Sequence, residues 1–384
     1  MSADYRKQHY VPQGYCRFFS EDGKTINLVL RDTGQVVLGA SIRNQCAENY
    51  FYGSPEIEKS YGELESDALR IIQRIRDSER LIGMTPKEYN ILCTFIVFQR
   101  ARTKLERDKM LGSTNNLARE YIRHNLDKFP PDPELKAWIE KNLDNIGVDP
   151  KQAHAVEILY SFISGGLLLD LDAVLLRNCT RWPFLFGDGV VALVNMAYQK
   201  VRYKSLTGLQ TPGLQVYLPL GPRLGLMFFD SAKYRVPSVI GHWVNVETKA
   251  DVDMLNVLQM NTSQDAAFFA HPGHEKYVRS LWQEWAPKLE RPQMIDHKAP
   301  GYDAETGEYI GEIIHSFEPH PSFPMRLSFM EPYDNHEPLK FGAIRDRELR
   351  DVFRKKADGI DRTIKEKERQ RREAIDPGPA HPGA

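Results

Sequence analysis

Thr25-Ile26-Asn27-Leu28-Val29-Leu30-Arg31-Asp32-Thr33-Gly34-Gln35-Val36-Val37-Leu38 is the stretch whose reading decides the fold. Two apolar runs rich in β-formers flank Asp32-Thr33-Gly34, and Asp-x-Gly is turn chemistry. The stretch therefore reads as a β-hairpin inside a β-like segment, 13–46. Downstream the hydrophobic period changes. Ser54-Pro55 offers a helix start, and over 64–82 Ala68, Leu69, Ile72 and Ile75 recur at three- and four-residue spacing. Thr85-Pro86 supplies a cap and a favourable first residue for the next helix. Its stripe is Tyr89, Leu92, Phe95, Ile96, then Gln99 and Thr103. A third helix after Asp149-Pro150 carries His154, Ile158, Leu159, Phe162 and Ile163, with 130–150 as a Pro-, Asn- and Asp-rich connection around a short helix.

Beyond 180 the pattern changes again. Phe184-Leu185-Phe186 and the runs 190–194, 214–218 and 224–229 are short, apolar and bounded by Gly, Pro and Asp, as strands are. Helical periodicity returns at 249–270 and 273–286. Residues 287–344 are turn-rich, with 309–314 the best strand. A charged helix is expected over 345–373, and a disordered tail over 376–383. Strand and helix runs segregate rather than alternate, which implies an α+β fold. The expected architecture is an N-terminal β-hairpin and arm on a helical cluster, followed by a mainly antiparallel sheet with flanking helices. The regions are 1–130, 131–344 and 345–384.

Composition bounds the function. The 384 residues are 41% hydrophobic and 27% charged, enough for a sizeable core, and the net charge of −1 gives no global field for nucleic acid or an anionic membrane. Cys16, Cys46, Cys93 and Cys179 are widely spaced and form no CxxC pair, so reduced thiols are expected rather than a disulfide framework or zinc finger. Met1 to Lys7 contain no apolar signal core. The apolar stretch 167–176 is broken by Asp170 and Asp172, so no spanning helix and a cytoplasmic location are expected. Walker, dinucleotide, HExxH and GxSxG motifs are absent. His315 and His320 form an H-x4-H pair, but neighbouring prolines argue against a helical zinc pair. Residues 354–372 hold nine basic and four acidic residues without aromatics, which reads as a solvated helix, with nucleic-acid contact the sharper alternative.

The chemistry-bearing residues fall in separate segments. His9 precedes Pro12 in an extended arm, where imidazole serves as metal ligand or general base, or simply fastens the arm. Glu48 reads as a metal ligand, general acid/base or arm-pairing carboxylate. Cys46 reads as a small buried residue, and as a nucleophile only with a base to lower its pKa. Gln99 and Arg102 share a helix face, where Arg102 holds phosphate or pairs with Glu48 or Glu65. His154 sits on an apolar stripe, and Asp188 in Gly187-Asp188-Gly189 at a strand end. The resulting catalytic set is His9, Glu48, His154 and Asp188. Gln13, Gln99 and Arg102 bind substrate, and His9, Glu48 and Asp188 hold a divalent metal if one is used.

Lys7-Gln8-His9-Tyr10-Val11-Pro12-Gln13, Cys46-Ala47-Glu48-Asn49-Tyr50-Phe51-Tyr52-Gly53 and Phe98-Gln99-Arg100-Ala101-Arg102-Thr103 together resemble domain-of-unknown-function family 4238, over roughly residues 7–270. The chain departs from the resemblance where Gly187 and Gly189-Val190 replace an expected Ser-Asp-x-Pro. The resemblance implies a microbial cytosolic setting, and antiviral defence is an expectation at family level. The function expected first is a metal-assisted hydrolase acting on nucleic acid or a nucleotide, with a protein partner from a defence system and no membrane. The competing expectation is a non-enzymatic binding or sensor protein in which the same polar residues clasp the arm. Either way, His9 and Gln13 are expected beside Glu48 and the Gln99/Arg102 face, with Asp188 and His154 completing the cluster.

Overall fold

The computed structural model describes residues 7–375 except 53–54, 82, 129–131, 148–150, 202–205, 238–241, 292, 303–305, 334–337 and 341–342. The expected disordered tail and the caps Ser54, Asp149 and Pro150 lie outside the described residues. The fold is α+β with antiparallel sheets.

The hairpin that decides the reading is present as Thr25–Leu30 paired antiparallel with Val36–Ser41. Its turn needs Gly34, whose φ is +66° and whose missing Cβ would lie 2.2 Å from the Trp282 ring. The hairpin does not stand alone. Ala266–Phe269 pairs antiparallel with Thr25–Leu30 and, on its other edge, with Phe186–Gly187. This sheet crosses the expected division at 130/131. A five-stranded sheet runs in the spatial order Trp243–Val246, Asp172–Asn178, Leu224–Phe229, Gln215–Gly221, Ala192–Val194. Its pairings are antiparallel except Trp243–Val246 against Asp172–Asn178, which is parallel.

The helical cluster is built from Pro55–Ser78, Pro86–Ala101, Lys104–Asn125 and Lys151–Ser164. Thr85 closes a capping box with Glu88 ahead of Pro86, as its sequence implies. Leu92, Phe95, Ile96 and Phe98 of the second helix are buried in the larger core, together with Ile72, Ile75, Leu218 and Phe228 from the first helix and the five-stranded sheet.

Three expectations are corrected. Segment 13–46 is not all β: Gln13–Arg17 is a short helix, starting directly after Pro12. Helix does not run from 249 to 270. It ends at Asn261, and Ala266–Phe269 is the strand that joins the hairpin to the second half of the chain. Asp172–Asn178, an interior strand of its sheet, lies partly in the stretch noted only for its broken apolarity. Among the described residues no helix is long and apolar enough to cross a membrane.

Candidate functional site

The arm Lys7–His9 pairs antiparallel with Ala47–Asn49, placing Gln8 opposite Glu48 and His9 opposite Ala47. The Tyr10 amide continues the ladder to the Cys46 carbonyl at 2.9 Å. The pleat turns alternate side chains to opposite faces. Here it buries Gln8 and leaves Lys7 and His9 half-buried. Gln8 Oε1 accepts from the Tyr52 amide at 2.7 Å. The inward-facing arm residue is thus Gln8, one position from the histidine the sequence singles out.

His9 faces the Arg43 carbonyl through Nε2 at 3.2 Å. Burial lowers its pKa, helped by the positive charges of Lys7 and Arg102 and opposed by Glu65 and the Arg43 bond. Gln13 opens the short helix and accepts from Arg17 Nη2 at 3.4 Å. It is half-buried and turned to its own helix.

Behind the arm, the end of Pro86–Ala101 supplies the fastening. Gln99 is fully buried. Its Nε2 donates to the Tyr10 carbonyl at 2.9 Å, and its Oε1 accepts from Arg102 Nε at 3.0 Å. Arg102 pairs with Glu65 through Nη1, and its guanidinium lies 4.8 Å from the Phe98 ring centroid. Burial alone would lower the Arg102 pKa, but Glu65, Tyr52 and Tyr61 outweigh it and raise it.

Glu48 joins a different chain of contacts. Arg107 Nη1 reaches it at 2.8 Å and Lys104 Nζ at 3.6 Å, and together they hold its carboxyl below the usual range despite partial burial. Lys104 continues to Asp265 at 2.8 Å. Asp265 belongs to the loop that encloses Asp188. Asp188 accepts from the backbone amides of Gln264 at 2.6 Å, Asp265 at 2.8 Å and Ala266 at 3.4 Å. Burial pushes its carboxyl up to about 7 against the pull of those amides.

The glycines beside Asp188 serve close approach rather than a ligand loop. A Cβ on Gly187 would lie 2.3 Å from the Gln259 carbonyl oxygen, and one on Gly189 2.1 Å from that of Thr262. This loop is packed against the end of Lys249–Asn261, so the serine expected at 187 has no room for its side chain.

His154 packs against Phe51 and Tyr52, which follow the strand Ala47–Asn49. Its Nε2 bonds the Ala101 carbonyl at 3.1 Å, and its ring meets Phe51 edge-on at 5.5 Å. Burial drives its pKa down to about 4, so the neutral ring is the resident form. Cys46 is buried at φ +50°, and burial with the neighbouring Cys16 thiol raises its pKa, the reverse of what a nucleophile needs.

The structure therefore brings Gln99 and Arg102 together at the arm. Glu48 is linked to the Asp188 loop through Lys104, and His154 is packed behind Phe51. It does not assemble His9, Glu48 and Asp188 as metal ligands: among the described residues no group of three or more His, Cys, Asp or Glu is arranged to hold a metal ion. Both Asp188 oxygens are taken by backbone amides. The residues sequence reasoning missed are Gln8, Lys104 and Arg107. Strand alternation from Tyr10, which is buried, offered a signal only for Gln8.

Fold and site together define an α+β protein whose N-terminal arm is strapped to a helical cluster by buried polar contacts. The chain belongs to the family described as protein of unknown function (DUF4238), whose model matches residues 7–272. The matched region holds the arm, the four-helix cluster and both larger sheets, and stops before the hairpin formed by Ile295–Tyr302 and Tyr309–Phe317. No curated protein and no solved structure matches the chain.

Proposed function

We propose that this chain is a cytosolic, non-enzymatic binding or sensor protein, and that its polar cluster is a structural clasp for the N-terminal arm. The observation that carries this reading is the engagement of Gln99. A fully buried amide donates one N–H to the Tyr10 carbonyl and accepts from Arg102 through its oxygen. A group placed to bind substrate keeps a donor or acceptor open to a cavity, whereas both ends of the Gln99 amide are engaged within the fold. The same holds for Asp188 and its three amides.

In this reading ligand binding falls to a cleft away from the clasp. An opening of about 640 Å³ is lined by Met84, Tyr89, Val174 and Phe229 together with Asp172 and His242. Such a lining suits an apolar molecule carrying one cationic or hydrogen-bond-donating group for Asp172.

The test pairs stability with turnover. Arg102→Ala and Gln99→Ala should lower the melting temperature, because each leaves buried polar partners unpaired. Wild-type protein should release no product from single-stranded or duplex nucleic acid or nucleotides with Mg²⁺, Mn²⁺ or Zn²⁺. A wild-type phosphodiesterase or nucleotidase activity that His9→Ala abolishes at an unchanged melting temperature would restore the hydrolase reading. It would also restore the nucleic-acid substrate and the defence role that go with it.

A further inference from the structure

We propose that the partly buried charge cluster of Arg100, Glu106, Lys109, Glu157 and Glu318 is a proton-sensitive latch that fastens the C-terminal hairpin to the helical cluster. Four of these groups close a ring. Arg100 pairs with Glu106 at 3.0 Å and Glu318 at 2.7 Å, and Lys109 pairs with Glu106 at 2.6 Å and Glu318 at 2.8 Å. Two cations and two carboxylates alternate, so the ring is neutral and each member has two partners.

Glu157 is the fifth group, and the ring is complete without it. It faces Arg100 from one helix, Glu106 and Lys109 from the next, and Glu318 from beyond the strand Tyr309–Phe317. Its Oε2 is buried and has no hydrogen-bond partner among the described residues. An ionised Glu157 would place a third carboxylate against two cations, uncompensated, in a desolvated site. The protonated acid adds no charge and leaves the ring intact. Burial first, then Glu106 and Glu318, push its carboxyl up to about 8 against the pull of Arg100 and Lys109.

The ring member that can leave is Glu318. Arg100, Glu106 and Lys109 sit on packed helices. Glu318 directly follows a hairpin whose two strands pair with each other and with no other described strand. Outside the cluster, the hairpin's polar contacts with Lys104–Asn125 are exposed: Asn116 to Asp296 at 2.9 Å, Ser113 to Ser316 at 3.2 Å and Lys298 to Glu120 at 2.7 Å. Exposed contacts of this kind hold weakly. Phe317 is the hairpin's buried aromatic anchor, beside the ring. When Glu157 loses its proton it competes for Arg100 and Lys109, and Glu318 is released with the strand end it belongs to.

The sign follows from linkage. The folded-state pKa of Glu157 is raised from 4.5 to about 8, so its contribution is fully present below about pH 4.5 and is lost as pH rises through about 8. The test is hydrogen exchange of the full-length chain between about pH 5 and about pH 9.5, with rates divided by the intrinsic rate at each pH. Amides of Ile295–Tyr302 and Tyr309–Phe317 should lose protection by up to about tenfold per pH unit as pH rises toward about 8 and level off above it. Those of Gln215–Gly221 should not. Glu157→Gln should abolish the pH step while keeping the hairpin protected. Glu318→Gln should leave the hairpin weakly protected already at about pH 5 and remove the step. Hairpin protection that is flat with pH in the wild type, or a step that survives in Glu157→Gln, would overturn the latch. A Glu318→Gln hairpin as protected as the wild type's would overturn it as well.

Discussion

Arg100 and Arg102 leave one helix end two residues apart and enter networks of opposite character. Arg102 pairs with one carboxylate, Glu65, and otherwise with the neutral amide of Gln99. Arg100 enters a ring of two cations and two carboxylates with a third carboxylate set against it. Arg102 is fully buried and Arg100 partly so, but it is the charge count that separates them. The arm network sets one cation against one carboxylate and is balanced in charge. The hairpin network is unbalanced by one acid, and a protonation state decides its integrity. One arrangement suits permanent fastening and the other suits release.

The largest effect should come from breaking the balanced network at its charge. Arg102→Ala should cost about 4 kcal/mol, because Glu65 loses its partner, Gln99 Oε1 is orphaned and the packing on Phe98 is lost. The contrast requires the loss to be the same at about pH 6 and about pH 8.5. Urea unfolding at both values measures it. A loss that grows steeply between them would mean that the arm network also carries a titrating group and would erase the distinction.

A second effect sharpens the comparison on the acid side. His154 packs behind Phe51 with its neutral ring bonded to Ala101. Its folded-state pKa is depressed from 6.5 to about 4, so its contribution is present above about pH 6.5 and is lost as pH falls through about 4. Stability should fall by up to about 1.4 kcal/mol per pH unit across that window. His154→Gln should start lower and show a shallower acid limb. An unchanged limb in the variant would assign the acid sensitivity elsewhere.

How much of this could be read from the chain depends on how local each feature is. Thr85-Pro86, the hairpin at 25–38 and Gln99 on its apolar stripe are legible because capping, turn chemistry and helical period act over a few residues. Even the pairing of Arg102 with Glu65 follows from a buried cation's need for a partner. Ala266–Phe269 was hidden because its neighbours continue a helical period; its strand character comes from pairing with residues more than two hundred positions away. The ring at Arg100 was hidden for the same reason. Glu106, Lys109 and Glu157 look like ordinary charges on helix surfaces, and Glu318 sits in a turn-rich segment. Only the tertiary fold brings them together.

The smallest effect concerns the arm itself, where the sequence points to His9 and the structure to its neighbour. Alternation along Lys7–His9 buries Gln8 completely and leaves His9 half-exposed. Gln8→Ala removes the acceptor for the buried Tyr52 amide and empties space beneath the arm, which should cost about 2 kcal/mol. His9→Ala removes one contact to the Arg43 carbonyl at 3.2 Å, an exposed bond for which water substitutes, and should cost about 0.5 kcal/mol. Thermal unfolding of the two variants side by side measures the difference. If the ranking held and His9→Ala left the melting temperature nearly unchanged, any functional defect in that variant could not be ascribed to a loosened arm. A reversed ranking would mean that His9, not Gln8, is the residue on which the clasp closes.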